Sequence, residues 1–283
     1  MMTASGRETT RIGRIAVWTL LLGGGTLFIF PFFWTVTTAL KTWEQANAYP
    51  PVWIPKPFQW INFYTAWTTL PQPFHVFVVN TYVIAALSTL GTVLSSALVA
   101  YGFARFRFKG RDALFLVLLS TMMLPGQVTM IPVFVMWNKL HLVDTFAPLI
   151  LPSWFASAFS VFLFRQFFMT ISRELDEAAM IDGCSYFGIW WRIILPLSRP
   201  AIITIVILSF IDGWNDFMGP LIYLNSLKHY TVSIALNMFQ DQFYTRLDLL
   251  MAASLIHIVP VIALFFAAQR YFIKGISMTG LKG

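Results

Sequence analysis

Asp212 and Asp216 stand four residues apart in an otherwise apolar run, so on a helix they share one face. Carboxylates so placed can relay a proton or an ion. They can equally bond backbone at a broken helix and line a polar cavity. A second charged set lies in the stretch Arg165 to Arg199. There Glu177-Ala178-Ala179 is followed by three residues, Gly183, nine residues and Ile193-Ile194-Leu195-Pro196. Nucleophilic catalysis finds no nucleophile–base arrangement in the chain. ATP binding finds no Gly-x-x-x-x-Gly-Lys-Ser/Thr loop. His75, His141, His229 and His257 fall on separate segments, which speaks against a metal site. The single cysteine, Cys184, excludes an intrachain disulfide and any multi-cysteine centre. The chain is therefore expected not to be an enzyme and to carry no catalytic residue, cofactor or metal of its own.

The elements that must hold these residues follow from composition. The 283 residues are 58% hydrophobic and 11% charged, where a soluble domain carries about 25% charged residues. That surplus of apolar surface requires a bilayer, so the fold class is an all-α, multi-pass membrane protein. Six spans are expected at about 15–40, 75–101, 112–137, 146–168, 200–224 and 249–272. The basic start at Arg7, Arg11 and Arg14 resembles a signal peptide, but the apolar run behind it is too long and lacks a small-residue cleavage pattern. The prolines and tryptophans of 41–73 forbid a continuous helix and suit an outer loop along the interface, with a sugar- or partner-binding loop as the sharper alternative. Leu124-Pro125-Gly126 and Pro132 interrupt the third span, as a packing kink or as a cavity-lining bend. With both ends cytoplasmic, inner segments hold fourteen Lys and Arg and outer segments five, together the 19 of the chain. That bias fixes the orientation and places 169–199, between spans 4 and 5, in the cytoplasm. The expected organisation is a cytoplasmic N-terminus over 1–14, a transmembrane domain over 15–272 and a cytoplasmic tail over 273–283. Nucleic acid is not an expected partner, because in a membrane protein the basic excess records topology.

The loop reads as two short helices. Ser172 can cap the first, and Glu174, Asp176 and Glu177 suit its positive end. Ala179 and Gly183 share a nearly bare face that another backbone can approach. Ser185 can cap the second helix, Tyr186 to Leu195, which Pro196 ends. On residue chemistry alone, the pair is either a compact knob for a soluble partner or an amphipathic loop resting on the membrane surface.

The Glu-Ala-Ala, three residues, Gly, nine residues, Ile-x-Leu-Pro pattern resembles the cytoplasmic loop of type I ABC importer permeases at every defined position. The closest likeness is to the carbohydrate-uptake branch of maltose-permease G type. Leu124-Pro125 with Met130-Ile131-Pro132-Val133 resembles that branch's third span, and Trp214-Asn215-Asp216 with Pro220-Leu221 its fifth. Met251-Ala252-Ala253, Pro260 and Gln269-Arg270 resemble its sixth, and Lys274-Gly275-Ile276 through Lys282-Gly283 its terminal signature. The chain departs from many relatives at Arg173, Cys184 and Gly219.

The resemblance implies the transmembrane permease subunit of an ATP-driven, binding-protein-dependent sugar importer in a bacterial or archaeal cytoplasmic (inner) membrane. It implies a second permease, two cytoplasmic ABC ATPases that bind ATP and Mg, an extracytoplasmic sugar-binding protein, and membrane lipid. The loop becomes the coupling helix carrying the EAA motif. Glu177, Ala178, Ala179, Asp182, Gly183 and Lys282 are then the candidate ATPase contacts. Trp214, Asn215, Asp216, Pro125 and Gly126 are the candidate substrate pathway. The competing function is an ion-coupled secondary transporter using Asp212 and Asp216.

Overall fold

A computed structural model describes residues 11–240 and 245–279, which fall into two units: Met1–Thr68 with Phe239–Ile256, and Thr69–Met238 with His257–Gly283. Among the described residues the secondary structure is helical, apart from one isolated bridge between Gln240 and Thr245.

In the first unit, α1 (Arg11–Ala39) is long enough at 1.5 Å per residue to exceed the roughly 30 Å of hydrocarbon. Leu20, Leu27, Phe28 and other large apolar side chains along it are exposed, as lipid contact demands. Its far end is closed by side chains. Asn62 Nδ2 donates to the carbonyls of Ala39 (2.9 Å) and Lys41 (2.8 Å). Lys41 is buried, with Nζ 4.0 Å from the centroid of the Trp34 ring. The proline-rich segment forms only α2 (Trp43–Ala46), opened by a Thr42/Gln45 capping box, and α3 (Ile61–Thr68). That agrees with a segment that prolines bar from a continuous helix.

The second unit is organised on α4 (Phe74–Arg105), which packs against much of α8 (Ala158–Met169) and α12 (Arg199–Asn215). Small residues let these helices approach. A Cβ at Gly213 would lie 3.3 Å from the backbone of Ala85. Between α4 and α8 come α5 (Arg111–Ser120), a 3-10 turn at Thr121–Met123, and α6 (Gly126–Lys139). The α5–α6 pair is bent by 95° at Leu124-Pro125, so the break expected in the third span is a sharp corner. α7 (Ala147–Ile150) and a 3-10 turn at Leu151–Phe155 lead to a second break at Ala156. The freed backbone there is satisfied by α4. The Ala156 N–H donates to Ser95 Oγ (3.1 Å) and the Ser157 N–H to Ser96 Oγ (3.0 Å).

The charged loop holds α9 (Glu174–Ile181), α10 (Tyr186–Ile189), one π-helical stretch Trp190–Ile194 and α11 (Leu195–Leu197). Pro196 does not end the second helix, contrary to expectation; the helix runs on to Leu197. Proline lacks an N–H and crowds the carbonyl four residues back, and the wider π turn just before it accommodates that. The chain then turns by 80° into α12. After α12 come α13 (Met218–Tyr223), α14 (Val232–Asn237) and α15 (Leu247–Thr279). The last is longer than the expected sixth span and takes 273–279 into the same helix. Among the described residues, four helical stretches are long and apolar enough to cross a membrane, or up to six if each bent pair is one span.

One core joins the Arg105 end of α4 to the loop. Ala97, Ala100, Phe164, Phe168, Ile189, Trp190, Ile194 and Ile205 are buried together with Ala179. The loop is thus part of the packed interior rather than a helix lying loose on a membrane surface.

Candidate functional site

The loop's first helix has Arg173 rather than Ser172 at its N-cap, with no side-chain cap there. The Ser172 hydroxyl, one residue earlier, accepts the Glu174 N–H at 3.3 Å, and Glu174, Asp176 and Glu177 occupy the first turn, where the helix dipole favours them. Its end is set by Gly183 at φ +83°, the left-handed region that a helix terminus uses and that side chains resist. Gly188 N–H then donates to Ser185 Oγ (3.2 Å), the cap expected for the second helix. Glu177, Ala178, Asp182 and Gly183 are exposed, and space beside Gly183 is open. Ala179 is not with them. It is 7% exposed and belongs to the chain's own core, so its small side chain serves packing there rather than an outer face. Lys282 lies outside the described residues.

Beside this face is a cavity of about 570 Å³ lined by Arg105, Arg107, Arg173, Asp176, Glu177 and Tyr186, among others. Burial pushes the Asp176 carboxyl up, while Arg105 and Arg173 draw it back down. Arg105 Nε lies 3.0 Å from Asp176 Oδ2. Nothing in the sequence signals this pair; Asp176 reads as a first-turn acid and Arg105 as a topology marker.

A larger cavity, about 820 Å³, lies among α4, the α7–α8 break and α12. Ser88, Thr92, Ser153, Ser157, Ser209, Asp212, Asn215 and Asp216 give it polar walls, and no lysine or arginine is in its lining. The break in the fourth span and the end of α12 face each other across it. Asp216 follows that end and engages the start of the next helix, its Oδ1 accepting the Gly219 N–H in the first turn of Met218–Tyr223 at 3.1 Å. Asn215 Nδ2 donates to the Ile211 carbonyl (2.9 Å), and its Oδ1 lies 3.4 Å from His257 Nε2.

Three expected pathway residues do not line this cavity. Trp214 is 1% exposed, donates Nε1–H to the His257 carbonyl (3.1 Å) and stacks between Phe210 and the His257 ring. A buried indole with its N–H satisfied is a packing residue. Pro125 and Gly126 form the α5–α6 corner and are exposed, outside the cavity lining. The hydroxyls of Ser88, Thr92, Ser153 and Ser157 were not anticipated, since serines and threonines in spans mostly bond their own helix.

Among the described residues no group of three or more His, Cys, Asp or Glu could hold a metal.

Residues 92–278 match the profile of the family described as binding-protein-dependent transport system inner membrane component. The chain is 35% identical over 282 residues to a probable ABC transporter permease protein, YurM, of Bacillus subtilis (strain 168), covering 98% of this chain and 91% of that one. It is 38% identical over 204 residues to the arabinooligosaccharides transport system permease protein AraQ of the same organism, covering 72% of each. The fold is that of a chain in the crystal structure of a bacterial ABC transporter involved in the import of the acidic polysaccharide alginate. There the TM-score is 0.82 at 22% identity, over 95% of this chain and 100% of that one. With the profile running from Thr92 in α4 through the exposed loop helix and α12 to nearly the end of α15, the chain belongs to the family of binding-protein-dependent transport system inner membrane components and is a multi-pass permease subunit.

Proposed function

We propose that this permease lines a sugar pathway jointly with a second permease and couples it to two cytoplasmic ABC ATPases that bind and hydrolyse ATP. The observation that carries the reading is the exposed Glu177, Ala178, Asp182 and Gly183 surface on a loop whose other face is built into the core. A charged surface so mounted can transmit force from a soluble partner. Glu177 is free to make a charge-assisted bond to a basic residue of that partner. Six spans, with each bent pair crossing once, both ends inside and 169–199 in the cytoplasm, fit the fourteen-to-five distribution of Lys and Arg. The permease domain then covers 15–272, and an extracytoplasmic binding protein supplies substrate from the other side.

The larger cavity suits a hydroxyl-rich solute, because its walls offer hydroxyls, an amide and carboxylates. That agrees with arabinooligosaccharides as the cargo of AraQ. The acid pair serves this reading better than an ion relay, since Asp216 is engaged with the first turn of α13.

The test is a pull-down of tagged, detergent-solubilised protein from its native membrane, wild type beside Gly183→Arg. Wild type is expected to retain an ABC ATPase and a second permease, and Gly183→Arg to lose the ATPase. An arginine at φ +83° is strained and projects from the docking face. Wild type retaining no ATPase would sink the coupling role.

A further inference from the structure

The buried pair between Arg105 and Asp176 has a role that docking alone does not supply. Arg105 is the last residue of α4, and Asp176 sits in the first turn of α9. Their side chains are 4% and 12% exposed, with Nε and Oδ2 3.0 Å apart. Two further bonds cross the same junction. Arg105 Nη1 donates to the Ile171 carbonyl (3.0 Å), and Arg173 Nη2 donates to the Ala104 carbonyl (3.3 Å). The end of α4 and the start of the loop are therefore tied in both directions. No other ion pair among the described residues joins α9 to a long helix.

Stability does not explain a buried pair of this kind. Desolvating two charges offsets most of their attraction, and apolar residues of similar size do as well or better. What a buried pair does provide is register, because sliding one partner leaves the other charge stranded. The contact is close but not aligned for hydrogen bonding. Arg105 Nε and Nη2 and Asp176 Oδ1 are all buried without a hydrogen-bond partner. A small rotation of α9 about the α4 end would align both N–H groups with the two carboxylate oxygens and make the pair bidentate, the stronger geometry for arginine and a carboxylate.

α4 leads straight from this junction to the larger cavity. Thr92, in the cavity wall, lies about 13 residues from Arg105, or about 20 Å along a continuous helix. We propose that Arg105–Asp176 is the strut that carries movement of the coupling loop into α4, and through α4 to the cavity. Both are positioning residues, and the inference rests on the importer reading above. Loop docking and strut transmission are separable: the exposed residues hold the ATPase, and the strut passes on its motion.

The experiment uses the complete importer, the chain carrying Cys184→Ser and a bimane-labelled cysteine at Leu90, an exposed position on α4. The complex is trapped with ATP, Mg2+ and vanadate, and bimane emission is compared with the untrapped complex. Asp176→Asn and Arg105→Gln remove charge at nearly constant size, and Asp176→Glu keeps it. The expected result is an emission shift on trapping in the parent, retained in Asp176→Glu and lost in Asp176→Asn and Arg105→Gln. ATPase retention and vanadate-trapped ADP should be the same in all four. Persistence of the shift in the two neutral variants would overturn the strut. So would loss of the ATPases from those variants, which would make the pair a requirement of docking. A parent that retains no ATPase would overturn the importer reading and the strut together, and it is read before any variant is compared.

Discussion

Trp214 and Asn215 are neighbours in sequence and opposites in role. The Trp214 ring is enclosed between Phe210 and His257, with its one polar atom bonded to the His257 carbonyl. Asn215 is exposed and lies in the cavity wall. Trp214→Ala should therefore cost about 3–5 kcal/mol through lost packing and a residual void. It should appear as a lower melting temperature of the purified complex and a smaller yield in the membrane. Trp214→Phe keeps the stack and gives up the hydrogen bond, a loss of about 1 kcal/mol. Asn215→Ala should leave the melting temperature close to wild type and reduce solute uptake at equal protein level. The reverse pattern, a stable Trp214→Ala with lost uptake, would make the indole a sugar platform after all. The residue types could not decide this beforehand. A tryptophan beside a broken helix suits a sugar face or a helix stack equally well, and the choice depends on where the His257 segment lies, which is tertiary information.

At the scale of elements, the breaks matter more than the spans. Asp144, in the turn after α6 at φ +64°, binds the segment that follows α13. Its Oδ1 accepts the N–H groups of Asn225 and Ser226, each at 2.9 Å, and lies 3.2 Å from His229 Nδ1; Oδ2 accepts the Ser226 hydroxyl. Burial pushes this carboxyl up, but the Ser226, Asn225 and His229 bonds outweigh it and hold the group well below its ordinary 3.8. A carboxyl depressed on folding adds stability that is complete above 3.8, declines below it, and is gone once pH falls through the lower folded value. Asp144→Asn should lower the melting temperature at neutral pH. The gap from wild type should hold down to the ordinary carboxylate range and close only further into acid, as followed by thermal unfolding in detergent across pH. A gap independent of pH would assign the effect to the left-handed turn instead. The apolar runs, their order and the Ser185 cap in the loop are legible in the sequence because they depend on local periodicity and short-range bonds. The 95° and 80° corners are not. A proline marks where a helix can fail, but the angle depends on what packs against the break; at Ala156, for instance, it is α4 that satisfies the freed backbone, through Ser95 and Ser96.

For the whole molecule, the open question is how the two bent pairs cross the membrane, because each decides the side on which everything after it lies. If α5–α6 is one crossing, the turn at Lys109 and the turn at Lys139 face opposite sides; if it is a re-entrant pair, they face the same side. The Lys and Arg count favours the first, since it collects the four cations Arg105, Arg107, Lys109 and Arg111 on the side that also holds the charged loop. The chain's single cysteine makes the question direct. A membrane-impermeant maleimide should modify Cys184 in inverted vesicles and spare it in right-side-out ones. In a Cys184→Ser background, Lys109→Cys should follow the Cys184 pattern and Lys139→Cys should show the opposite one. Both lysines are exposed, so failure to react from one side reports the membrane rather than burial. If Lys109→Cys and Lys139→Cys react from the same side, the 95° corner is re-entrant and the six-span arrangement falls. The force path would survive that result only if Cys184 still reacted from the cytoplasm, because the ATPases can push only on what they can reach.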